Sequence, residues 1–162
     1  VMPATLLRAW LIPALLCACA GARADFEAGV VAARVGDYAK NLLDLASDGA
    51  DFTLAPNTEH WEQLATEVSQ YIADAGVAFR DRDAELSRKL RQRGDELLNH
   101  FDERVSYLIR AADPEPQAVP RALAHRYLKR VVAHLMNLLS AVIMPLDRLD
   151  YFDEDPEDRG GA

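Results

Sequence analysis

Apolar residues recur at spacings of three and four along most of this chain, and nowhere do they alternate as a half-buried strand would require. From Phe26 to Ser47 the apolar positions include Val30, Val31, Val35, Leu42 and Leu45, which predicts a helix. Gly29 and Gly36 each weaken it by roughly 1 kcal/mol. Asp48 to Pro56, with Gly49, Asp51 and Pro56, reads as a loop. Asn57 or Thr58 then caps a second helix, with Glu59 and Glu62 in its first turn, where acids meet the positive end of the helix dipole. Trp61, Leu64, Val68, Tyr71, Ala75 and Phe79 form its stripe, and Arg80-Asp81-Arg82-Asp83 interrupts the stripe as a tight connection.

A third helix carries Leu86, Leu90, Leu97, Phe101, Val105 and Leu108 and stops before Asp113-Pro114-Glu115-Pro116, because proline ends a helix and disfavours helical geometry in the residue before it. The last helix starts near Pro120, carries Leu123, Tyr127, Val131, Leu135, Leu138 and Val142, and is closed by Pro145. The pattern predicts an all-α chain. One N-terminal helix over residues 26–47 precedes an antiparallel three-helix bundle over 57–145, joined by short connections. Residues 146–162 form a tail.

Composition sharpens this picture at the two ends. The chain has 162 residues, enough for one ordinary domain, and half of them are apolar. Its net charge of −8 is concentrated in the tail, where seven acids from Asp147 onward face only Arg148 and Arg159. The body is close to neutral. That balance argues against nonspecific nucleic-acid binding, which needs clustered Lys and Arg. Arg88, Lys89, Arg91 and Arg93 are interleaved with acids and read as a solvated helix face.

Residues 1–24 read as a signal-like segment or a misplaced start. Arg8 precedes an apolar run from Ala9 to Ala20, and Ala22-Arg23-Ala24 fits a small-x-small cleavage site. The run is short for a membrane span. Cys19 loosely fits a lipoprotein attachment site. Both cysteines, Cys17 and Cys19, lie in this segment, so the body offers no thiolate for zinc and no catalytic cysteine.

A thirteen-residue phrase occurs twice, from Arg34 to Ala46 and from Arg130 to Val142, with Arg, Val, Asn, Leu and Leu at the same places. A repeat of this kind suggests one helical unit used twice. Arg34-Val35-Gly36-Asp37-Tyr38-Ala39-Lys40-Asn41-Leu42 resembles the closing phrase of a PhoU repeat, Glu-Arg-Ile-Gly-Asp-His-Ala-x-Asn-Ile. Phe79 to Leu86 is similar to that family's turn between its first two helices. Asp95-Glu96-Leu97 and the stretch from Leu128 to Leu138 follow at the family's spacing. The resemblance covers about Phe26 to Arg148. It implies the tail of one three-helix repeat, lacking its first two helices, followed by one complete repeat.

The resemblance implies regulation rather than catalysis. Members of the family restrain phosphate uptake and phosphate-starvation signalling by contacting a phosphate ABC transporter and its sensor kinase. Those partners present cytoplasmic surfaces, so the expected compartment is the cytoplasm; the signal-like start would instead imply a periplasmic or lipid-anchored product. The family-motif positions are Arg34, Gly36, Asn41, Arg130, His134 and Asn137.

Some members bind iron or zinc through acids four apart on a helix, where two carboxylates share a face. Here Ala33, Gly94, Leu98, Lys129 and Ala133 stand at the acidic places, leaving Asp37 as the one candidate metal ligand and no resident cofactor expected. The plainer reading of Asp37 is a polar helix residue, and of His134 a histidine packed against a neighbouring helix. Asn41 and Asn137 suit inter-helix hydrogen bonds, and Arg34 and Arg130 suit ion pairs with acids on an adjacent helix. His60, His100 and His125 show no ligand spacing. An apolar face left open on 26–47 would favour a homodimer or a docked partner.

Overall fold

The computed structural model describes residues 26–52, 58–111 and 116–143; the signal-like segment and the acidic tail lie outside the described residues. Four helices are present, α1 (Phe26–Ser47), α2 (Thr58–Arg80), α3 (Ala84–Arg110) and α4 (Ala118–Ile143), and no strand is found among the described residues. The protein is all-α. No described helix is long and apolar enough to cross a membrane.

Each helix ends where the local chemistry permits. α1 stops at Gly49, whose φ of 92° suits a residue without a β-carbon, and the Ala50 N–H donates back to the Leu45 carbonyl at 2.9 Å. α2 ends through Arg82 in the same left-handed region (φ 52°), with the Asp83 N–H donating to the Ala78 carbonyl at 2.9 Å. Asp83 then caps α3: its Oδ1 accepts from the Glu85 and Leu86 N–H groups at 3.0 and 2.9 Å. A cap of this kind contributes about 1 kcal/mol. α4 begins at Ala118, two residues before the expected proline. Pro120 is tolerated there because the first four N–H groups of a helix have no intrahelical partner to lose.

The helices form one core around α4. It packs most extensively on α3, then on α1, then on α2, and α2 also packs on α3. The α3–α4 pair is antiparallel, since Phe101 meets His125 and Lys129 pairs with Asp102, while Gly94 lies against Met136. α2 runs parallel to α4, with Trp61 against His125 at one end and Tyr71 near Met136 further along. Phe52, just past α1, stacks on Trp61, which brings the C-terminal end of α1 to the N-terminal end of α4. α1 is therefore antiparallel to α4.

Service to three neighbours changes which α4 residues are buried. Of the expected stripe, Val131 and Leu135 are buried, Leu123 is exposed, and Tyr127, Leu138 and Val142 are only partly buried. The fully buried set includes Ala124, His125, Leu128, Val132, Met136 and Leu139, on the side facing α2 and α3. A helix packed on two sides has no single stripe, so a one-stripe reading finds one interface and misses the other.

The apolar face expected to lie open on residues 26–47 is covered. α1 buries Val35 and Leu42 to 3% and 4% exposure against α4 and turns Gly29, Ala33, Arg34, Gly36, Asp37 and Lys40 outward. Val30, counted with the apolar face, is exposed. On the outer face Lys40 donates to Asp44 one turn on at 2.6 Å, which raises the ammonium's pKa. A β-carbon at Gly36 would meet nothing within 4 Å. Gly36→Ala is therefore expected to stabilise the protein by about 1 kcal/mol, through helix propensity alone, in a urea titration.

Gly94 is the opposite case. A β-carbon there would lie 2.5 Å from Met136 Sδ and 2.7 Å from the Tyr71 hydroxyl. The missing side chain is what lets α3 approach α2 and α4 together. Tyr71 is buried at this junction, and burial pushes its phenol well above the usual value of 10, with the Asp95 carboxylate adding to the shift. The folded state thus keeps a proton that the unfolded state releases. The associated stability is fully present below pH 10 and is lost as pH rises from there towards the folded value, at about 1.4 kcal/mol per pH unit. Alkaline denaturation curves of Tyr71→Phe are expected to lack this component of the slope.

Candidate functional site

Part of the repeated phrase gathers on one seam, between α1 and α4. Tyr38 stacks on His134 with ring centroids 5.7 Å apart and planes 22° apart, and lies 6.2 Å from the Tyr127 ring. Tyr38 and His134 hold the same place in the two copies. Val35 and Val131, also equivalent, are both buried, and Asn41 and Asn137 are both half-buried beside them. The two copies of the phrase are thus packed on each other.

Other phrase residues do not converge. Arg34, Gly36 and Asp37 sit on the outer face of α1. Arg130 is half-buried on α4. The expected ion pairs of Arg34 and Arg130 are not among the described contacts; the described inter-helix pairs include Arg93 with Glu67 at 3.0 Å and Lys129 with Asp102. Arg34 projects from the outward side of α1, away from α4, so the acids of the other described helices are not placed to pair with it. Lys129, which stands at an acidic place of the family phrase, binds α4 to α3. Among the described residues no three His, Cys, Asp or Glu side chains come together in a way that could hold a metal ion.

A second constellation lies at the end of the bundle where α2 begins and α3 finishes. His125 is 1% exposed and is surrounded by rings: Trp61 at 4.6 Å, Phe101 at 5.9 Å and His100 at 6.3 Å between centroids. Phe52 closes the group through Trp61 at 4.7 Å. Arg121, one turn before His125, is equally buried. His100 also lines a groove of about 250 Å³ between α2 and α3, together with Gln63, Glu67, Arg93 and Glu96. Leu64 and Leu97 complete its lining.

Spacing along the chain gave no reason to join His100 to His125. The usable signal was periodicity. Arg121 and His125 fall in register with Ala124, Leu128 and Val132 on the face that α4 turns to α2 and α3. Buried charge and imidazole are uncommon enough to mark an unusual environment. Chemically, the seam offers aromatic stacking and amide groups, and the groove offers a polar, partly ion-paired surface. Neither a protein-family model, nor a curated protein, nor a solved structure matches this chain.

Proposed function

We propose that this protein is a non-enzymatic, PhoU-like regulator. It restrains phosphate uptake and phosphate-starvation signalling through contacts with a phosphate ABC transporter and its sensor kinase on the cytoplasmic side. What supports the reading is the α1–α4 seam. The closing phrase that resembles the family occurs twice, and its equivalent residues Tyr38 and His134 meet ring to ring. A repeat whose copies pack on each other is an architectural unit rather than a chance likeness of composition.

The regulatory role gives a direct test. Deleting the coding sequence from its host is expected to switch on a phosphate-starvation reporter in phosphate-rich medium. Restoring the intact gene is expected to silence it again. A reporter that responds to phosphate identically in the deletion, the restored strain and an overproducing strain would reject the role.

A further inference from the structure

α1 sits on α4 as one related phrase on another, identical at five of thirteen positions, and that arrangement points to a second use of the same surface. The two phrases start at Arg34 and Arg130. In that register Val31, Val35, Tyr38 and Leu42 of α1 correspond to Tyr127, Val131, His134 and Leu138 of α4. Val35 and Leu42 are buried, and Val31 and Tyr38 pack against the core. Tyr127 and His134 are the two rings against which Tyr38 lies. Each helix therefore presents the same register of its phrase to the other.

An antiparallel pair of like helices that brings equivalent residues together at its centre has the geometry of an isologous contact. A face that accepts a related phrase in this way is self-complementary in outline. We propose that this face of α4 is a contact surface for the α4 helix of a second copy of the chain, and that α1 covers it in the monomer. In the dimer two α4 helices would cross antiparallel, with His134 of one copy against the same residue of the other.

α1 is placed to act as a removable cover. Its packing is essentially confined to α4, its outward face is polar or carries small residues apart from Val30, and its exit turns through Gly49 at positive φ. A short connection holds such a cover at an effective concentration on the order of millimolar. The intact chain at lower concentration is therefore monomeric, and loosening α1 uncovers the dimer surface. This inference does not depend on the phosphate role.

The test uses the full chain with Cys17→Ser and Cys19→Ser, so that His134→Cys supplies the sole thiol, and a short bis-maleimide cross-linker. Two variants loosen α1: Val35→Asp with Leu42→Asp, and the milder Leu42→Ala, which trims one buried side chain away from position 134. At chain concentrations approaching a millimolar, both are expected to raise the cross-linked dimer at least about tenfold over the chain with α1 intact. Adding Leu138→Asp on α4, or an excess of a peptide of residues 26–47, is expected to suppress it. The proposal is overturned if Leu42→Ala, folded by circular dichroism, cross-links no better than the chain in which Leu42 is kept. It is equally overturned if a thiol at the exposed Arg126 cross-links as well as one at His134. A dimer that forms by exchanging α1 between copies, seen as cross-links from Tyr38→Cys of one labelled chain to His134→Cys of another, also overturns it.

Discussion

Gly94→Val is expected to lower the stability of the bundle by about 3 kcal/mol in urea denaturation, the upper part of the range for forcing atoms into a packed core. The position is buried where α3 meets both α2 and α4. Its added β-carbon would overlap Met136 Sδ and the Tyr71 hydroxyl, and valine adds two methyl groups to that overlap. Met136 can swing away, because a thioether chain has three rotatable bonds. Tyr71 cannot, because its ring is fixed in the core. Gly94→Ala is expected to cost less, since alanine regains about 1 kcal/mol of helix propensity against the clash. Combining it with Met136→Ala should recover more than about 1 kcal/mol relative to the sum of the single changes, the mark of two residues in direct contact. A Gly94→Val chain as stable as the parent would show that α3 does not approach its neighbours as described.

Phe101→Ala is expected to cost about 3–5 kcal/mol, as large aromatic truncations in cores do. Phe101 is fully buried and its ring touches those of both His100 and His125. Its removal leaves a cavity beside the buried His125 imidazole, a polar ring poorly suited to collapse into an apolar void. Phe101→Leu keeps much of the volume and is expected to cost under about 1.5 kcal/mol. Chemical denaturation of the two variants separates filling from aromatic identity: similar losses in both would mean that the ring contacts matter more than the volume.

The helices were legible because each has at least one clean interface. Leu64, Val68, Tyr71 and Ala75 on α2, and Leu90, Leu97 and Phe101 on α3, are buried as their spacing implies. The turn at Arg80–Asp83 was legible from its break in the stripe; that Asp83 also caps α3 is shown by the structure. What the chain order could not display was which helix lies at the centre. α4 meets three neighbours, and its second buried face includes Arg121 and His125, residue types that a hydrophobic pattern discards. The Tyr38–His134 stack was half legible: the repeat marked the two residues as equivalent, but equivalence in sequence does not say that two copies touch. The His100–His125 contact was not legible, because it joins two helices at a distance in the chain that no motif spans.

The confinement of α1 to α4 also bears on how the chain is made. A ribosome releases α1 first and its one main packing partner last, since the two copies of the phrase begin 96 positions apart, at 34 and 130. At about 5–20 residues per second, Val35 and Leu42 wait roughly 5–20 s for the surface that buries them. A helix of 22 residues with Gly29 and Gly36 inside it is marginal on its own in water, so this segment spends that interval fraying and sticky. α3 and α4, neighbours in the chain, close as a local antiparallel pair soon after they emerge. The speed of translation, rather than the stability of the finished bundle, then sets how much this protein needs a holding chaperone.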